Sequence, residues 1–185
     1  MKHDYEARYE LMETFEKNSS ELYWLAYLLT GNSDQGVQVF DRALDFDEEE
    51  NPVFGGFMSA WARKLIIVEA LGTIEKDLRS SVQRVARTAG DDMMGNSKWS
   101  RRPYIEKEEF EEAVIGIDTF PRCAMLLTIF EGMSIKTASV LLNASEALTR
   151  AAQRIGIVQL TRTLAGDRGW DSYFALNPMP VLSLN

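Results

Sequence analysis

Apolar side chains recur along this chain at helical spacing almost throughout. Between Tyr5 and Leu29, the positions Leu11, Phe15, Leu22, Leu25, Ala26 and Leu29 fall three, four or seven apart, with one discontinuity at Asn18-Ser19-Ser20. That period puts them on one face of a helix. Gly31-Asn32-Ser33-Asp34 then supplies a stop and a new start, because glycine takes up the left-handed turn at a helix end and the short polar side chains accept from orphan amides. Val37, Phe40, Ala43 and Leu44 mark a short amphipathic helix, followed by the acidic run Asp45 to Glu50, which Asn51-Pro52 closes as a solvated loop. Phe57, Trp61, Leu65, Val68 and Leu71 mark a long third helix reaching toward Leu78, and Val82 to Ala89 reads as a fourth.

Residues 89–103 lose the period and carry Gly, Asn, Ser and Pro, the composition of a linker. Beyond them Glu106 to Ile115 is one helix, and Pro121 in a first turn opens another that runs to Phe130 and ends at Gly132. Ser134 caps a short helix to Leu142, Asn143 breaks it, and Ser145 caps a last helix to about Leu164. From Gly166 to Asn185 the chain reads as an extended tail with Pro178 and Pro180. Trp170, Tyr173, Phe174 and Leu176 make that tail too apolar for a free coil; it either packs on the preceding helices or offers a docking strip to a regulator. Strand-like alternation is almost absent and no internal repeat is found. The expected fold is all-α: two helical lobes, residues 1–88 and 105–166, joined by an irregular linker at 89–104, the C-terminal lobe containing a helix-turn-helix, and a tail at 167–185.

Composition narrows the choice of function. With 185 residues, 45% of them hydrophobic and 26% charged, the chain suits one domain or two small ones. Its formal charge of −8 argues against binding polyanions. The acidity is local, however: residues 1–50 hold 4 basic and 13 acidic side chains, whereas residues 51–185 hold 16 and 15. Only the first segment is ruled out as a nonspecific DNA binder. The apolar runs, such as Leu22 to Leu29, fall far short of the roughly 18–20 residues a membrane span needs. Met1 to Glu6 leads into acidic helix-like sequence rather than an apolar signal region. Cys123 is the one cysteine and His3 the one histidine, which permits no internal disulfide, no zinc-ligand cluster and no Cys–His nucleophile. The expectation is a cytoplasmic protein without metal or organic cofactor, and not an enzyme.

The informative stretch is Glu131-Gly132-Met133-Ser134-Ile135-Lys136-Thr137-Ala138-Ser139-Val140-Leu141-Leu142-Asn143-Ala144-Ser145. It has a capped short helix, a tight turn and a capped second helix. Ala138, Leu141 and Leu142 face inward against Leu148, Ala151, Ala152 and Ile155, with a residue in the turn that tolerates the left-handed conformation. A helix-turn-helix is built in this way. Its polar face offers Ser145, Glu146, Thr149, Arg150, Gln153 and Arg154; Arg and Gln read base edges, and hydroxyls hold phosphates. From Met133 to Arg168 five basic residues stand against two acidic ones. The competing reading is an ordinary capped helix pair with a solvated face, and pattern alone leaves both open.

Arg122, Gly132 ten residues on, the Glu131-Gly132-Met133-Ser134 start and the Ser145 cap together resemble the C-terminal promoter-reading domain of bacterial sigma factors, and Phe120-Pro121 is similar to that family's Leu-Pro lead-in. Size and layout point to the extracytoplasmic-function group of the sigma-70 family. The resemblance implies that the second helix enters the major groove at the promoter −35 element, with Ser145, Thr149, Arg150, Gln153 and Arg154 facing DNA and Lys136 and Thr137 on phosphates. In the first lobe Leu22 to Asn32 is similar to the first core-polymerase-binding helix. Gln38 and Asp41 stand where the family has Asp and Gln, and with Arg42 they are the implied polymerase contacts. Ala62-Arg63-Lys64 resembles the family's Ala-Arg-Asn, and Val68 replaces a customary Asp, with Glu69 next to it. The resemblance covers about residues 10–165.

Melting of a promoter needs cations and aromatic faces around an extruded base. Arg63, Lys64, Arg79 and Arg84 are the candidate single-strand contacts, with Lys76 and Arg87 nearby; Trp61, in register with Phe57, Leu65 and Val68, reads as core. Lys98-Trp99-Ser100-Arg101-Arg102 in the linker suits single-stranded nucleic acid, or equally an aromatic anchor docking the linker, and Cys123 reads as a small core residue. The implied partners are core RNA polymerase through its β and β′ subunits, promoter DNA, and an anti-sigma or other regulatory protein, with no membrane insertion. Two alternatives remain: a degenerate sigma-like interaction module without initiation activity, and a stand-alone helix-turn-helix regulator.

Overall fold

The computed structural model describes residues 12–44, 58–88 and 105–166, and every regular element among them is a helix. The acidic run Asp45 to Glu50, the 89–104 linker with Lys98 to Arg102, and the tail beyond Gly166 lie outside the described residues. Helix α1 covers residues 12–17 and passes through a turn at Asn18 into α2, Ser19–Thr30. Asn18 makes that discontinuity: its side-chain amide donates to the Thr14 carbonyl at 2.9 Å and so competes with the helical ladder. Helix α2 ends at Gly31, whose φ of 72° lets its amide return to the Tyr27 carbonyl at 2.7 Å. Of the polar residues that follow, Asn32 caps α3, Ser33–Leu44, by accepting from the Gln35 amide at 3.0 Å.

The third and fourth helices divide differently from the sequence expectation. Helix α4 spans Met58–Thr73 and α5 spans Glu75–Thr88, with only Ile74 between them. The Ile74 amide still reaches the Ala70 carbonyl at 3.1 Å, and its own carbonyl accepts from Leu78 at 2.8 Å. The ladder therefore carries on across Ile74 without a loop. Ile74, Leu78 and Val85 all turn inward and mark the buried face of α5.

Past the linker, α6 is Lys107–Ile115 and α7 is Thr119–Met125. Asp118 starts α7 by accepting from the Thr119 amide at 2.9 Å, which places Pro121 inside the first turn. The expected continuous α-helix to Phe130 widens instead into a π-helix at Leu126–Phe130, where the Glu131 amide donates to the Leu126 carbonyl at 3.0 Å. Thr128 donates its hydroxyl to the Ala124 carbonyl at 2.5 Å, a bond that Thr30, Thr73 and Thr161 also make to the carbonyl four residues back within α-helices. Gly132, at φ 65°, ends the segment, and α8 (Ile135–Leu141) and α9 (Glu146–Gly166) follow.

Helices α2, α3 and α4 pack on one another, α9 lies along α7, and α7 also meets α5 and α2. Buried side chains from residues 12–88 and from 105–166 form one continuous cluster that includes Phe15, Leu28, Ile66, Phe120, Met125 and Leu142. Each such side chain contributes about 1.5–3 kcal/mol by leaving water. Helices α7 and α9 approach so closely that a Cβ on Gly156 would stand 2.6 Å from the Pro121 carbonyl oxygen. No helix among the described residues is long and apolar enough to cross a membrane.

Candidate nucleic-acid interface

The α8–α9 pair is shaped by three local hydrogen bonds and one left-handed residue. Ser134 Oγ accepts from the Thr137 amide at 3.0 Å and starts α8. Asn143, at φ 49°, reverses the chain, and the Ala144 amide closes the turn on the Ser139 carbonyl at 3.0 Å. Ser145 Oγ accepts from the Leu148 amide at 3.2 Å and starts α9. Ala138, Leu142 and Ala152 are fully buried between the two helices and the core, and Leu141, Leu148 and Ile155 pack partly against them.

This arrangement leaves Lys136, Thr137, Ser145, Arg150 and Arg154 exposed. Arg150 and Arg154 lie one turn apart, so two guanidinium groups stand in a row near the start of α9. Ser145 and Thr137 have local bonds as well: Ser145 through its cap, and Thr137 through a 2.8 Å hydroxyl contact with Ser134. Two expected DNA-facing residues are elsewhere. Thr149 is 0% exposed, on the side of the helix that carries Ala152, and its hydroxyl has no hydrogen-bond partner. The expectation that Thr149 faces outward is therefore corrected: the rotation of α9 about its axis is set by its packing on α7. Gln153 is half-buried and donates to Thr128 Oγ1 at 2.9 Å, which ties α9 to the π-helix.

The four candidate single-strand cations do not converge on an open groove. Arg63 grips Glu131 with two bonds, Nε at 2.9 Å and Nη2 at 2.5 Å, with Glu21 3.7 Å away. The Glu131 side chain is only 8% exposed and that of Arg63 34%, so the carboxylate of this pair is held out of water while the arginine stays partly wet. Arg84 makes a similar fork on Asp118, at 3.0 and 2.6 Å, and Arg79 pairs with Glu75 on its own helix. Lys64 is exposed on α4. Gln38, Asp41 and Arg42 are all exposed on α3, and Trp61 is half-buried against the core as expected.

Asp118 joins α5 to the start of α7. Ser81 Oγ donates to it at 2.8 Å while accepting from the Phe120 amide at 2.8 Å, and Arg84 binds it from α5. Burial raises the Asp118 carboxyl, but the hydrogen bonds from Arg84, Ser81 and the Thr119 amide outweigh it and hold the group below the ordinary carboxylate range.

Arg122 is the principal residue whose role the sequence pattern does not disclose. It is 5% exposed and donates to four backbone carbonyls: Ile115 at 3.1 Å, Ile117 at 3.2 Å, Leu29 at 3.4 Å and Thr30 at 3.2 Å. The Ile115, Leu29 and Thr30 carbonyls end α6 and α2, where helix dipoles concentrate negative charge, and that of Ile117 lies just past α6. A cation inside an otherwise apolar stretch, Phe120 to Leu127, was the available signal. Beside it Cys123 is fully buried; burial pushes its thiol up to about 12, with Arg122 acting in the opposite direction, so it stays a protonated core residue. Among the described residues no His/Cys/Asp/Glu group is arranged to hold a metal ion. Comparison with family models, characterised proteins and solved structures finds no match to this chain.

Proposed function

We propose that this chain is a sigma-like transcription initiation protein that binds core RNA polymerase and directs it to promoter DNA. In this reading α8 and α9 form a helix-turn-helix in the second of two helical lobes. Arg150 and Arg154 read base edges in the major groove, and Lys136, Thr137 and Ser145 hold phosphates. The observation that carries the proposal is the exposed Arg150–Arg154 row on a helix fixed at both its cap and its turn, with Ala138 and Ala152 at the crossing. Gln153 acts here by positioning α9 through Thr128 rather than by touching a base. Affinity purification of the protein from its native host tests the assignment. The β and β′ subunits of the polymerase should co-purify; their absence, with other proteins captured, counts against it.

A second reading, an interaction module of sigma-like ancestry without initiation activity, is favoured by one specific observation. Arg63 and Arg84, the cations most suited to a melted strand, are both engaged by carboxylates of the C-terminal segment. Such a module would bind its partner but yield no promoter-dependent transcript with core polymerase.

A further inference from the structure

The π-helix leaves two apolar side chains largely in solvent, Ile129 at 52% and Phe130 at 46% exposure. Phe130 also begins a run of rings. It stands edge-on to Phe110, with centroids 5.6 Å apart, and Phe110 lies tilted against Trp24 at 6.0 Å. On the same arc of α2, Tyr23 and Tyr27 stack at 6.4 Å. All four of these further rings are only partly buried. The strip thus crosses from α2 over α6 to the π-helix with one face in water.

Its surroundings are acidic on balance, with one cation, Lys107, 3.6 Å from the Glu111 carboxylate. Glu108 and Glu112 are exposed on α6, and Glu111 accepts from Trp24 Nε1 at 2.6 Å. The Tyr27 phenol is pushed up by burial first, then by Glu111, Tyr23 and Glu112, in keeping with a negative potential along the strip. Exposed aromatic and long aliphatic side chains grouped in this way mark a contact surface. The acidic border repels nucleic acid and anionic lipid, attracts cations, and leaves Trp and Tyr faces available to them.

We infer that the Tyr23–Trp24–Tyr27–Phe110–Phe130 strip, with Ile129 beside it, is the docking surface for a basic amphipathic helix of a partner protein. The partner's apolar stripe lies on the rings, and its flanking Lys or Arg residues meet Glu108 and Glu112. The surface uses none of the residues assigned to DNA and none of Gln38, Asp41 and Arg42, but Tyr23, Trp24 and Tyr27 stand on α2, the helix similar to the family's first core-polymerase-binding helix, so peptide binding is scored in the absence of polymerase.

The test uses the full chain and a display library of helical peptides with a fixed leucine stripe and flanking positions randomised among Lys, Glu, Gln and Ser. Selection should enrich Lys flanks over Glu flanks. Ile129→Ser, and separately Glu108→Lys with Glu112→Lys, should each weaken a selected peptide about tenfold or more. Because these positions are exposed, the thermal melts of the variants should match the parent, and Arg150→Ala should leave peptide binding unchanged. Selection without a charge preference, or binding that survives both variants, would overturn the inference. So would self-association of the protein that Ile129→Ser abolishes, since the face would then belong to a second copy.

Discussion

Arg122 carries a charge into the core with no carboxylate among the described residues paired to it. The cost of dehydrating a guanidinium is offset by four carbonyls at or just past two helix ends, an arrangement that only a flat, multi-donor cation can serve. Arg122→Met should therefore destabilise the fold by about 3 kcal/mol, because the acceptors it leaves behind are buried. Denaturant unfolding measures this, and Arg122→Lys should recover only a small part of the loss. Gly31→Ala should act at the same place: its φ of 72° disfavours any Cβ, and that Cβ would lie 2.8 Å from the Arg122 guanidinium nitrogens. Thr149 is the opposite case. Its buried hydroxyl is unpaired, so Thr149→Val should be neutral or stabilising and should leave DNA binding within about twofold. A loss of DNA binding in Thr149→Val at unchanged stability would show that the side chain does reach DNA.

At the scale of elements, the Asp118 network joins α5 to the start of α7, and its contribution depends on pH. The Asp118 carboxyl is held below its ordinary value of 3.8 in the folded chain, so the unfolded chain binds a proton more readily. The stabilisation is fully present above the unfolded value and is lost as pH falls through the lower, folded one. Unfolding followed from neutral to acid pH should show this loss, and Asp118→Asn should flatten that part of the profile. Much of the element layout was legible in advance, because caps and turns are local chemistry. Ser134, Ser145 and Asn143 take the conformations their side chains favour, and Gly31 the one its lack of a Cβ allows. The break at Ile74, the π-helix at Leu126–Phe130 and the inward face of Thr149 were not legible. Each depends on which neighbour a helix meets, and residue spacing within one helix does not contain that. The same limit hid Arg122, whose four acceptors lie at or just past the ends of two helices, one of them about ninety residues away in the chain.

For the whole molecule, the charge distribution and the packing bear on the same question. The strongly acidic first 50 residues repel DNA, while α9 presents Arg150 and Arg154 outward. A chain of this kind should bind duplex weakly alone, with an affinity that falls as salt rises. Alanine at Arg150 and Arg154 together should remove about 1–3 kcal/mol of sequence discrimination for each guanidinium that reads a base. A protein–DNA titration across ionic strengths, for parent and variant, separates that effect from a uniform weakening through phosphates. Residues 12–88 and 105–166 share one core and two inter-segment ion pairs, Arg63–Glu131 and Arg84–Asp118, so the described face of the first segment is committed to the second. Whether the molecule starts transcription is decided most directly by reconstitution. Purified protein, mixed with core polymerase and fragments of its host genome, should give discrete promoter-dependent transcripts that vanish when Arg150 and Arg154 are both replaced by alanine. No transcript from any fragment, together with no association with the core enzyme, would contradict a role as a sigma-like initiation protein.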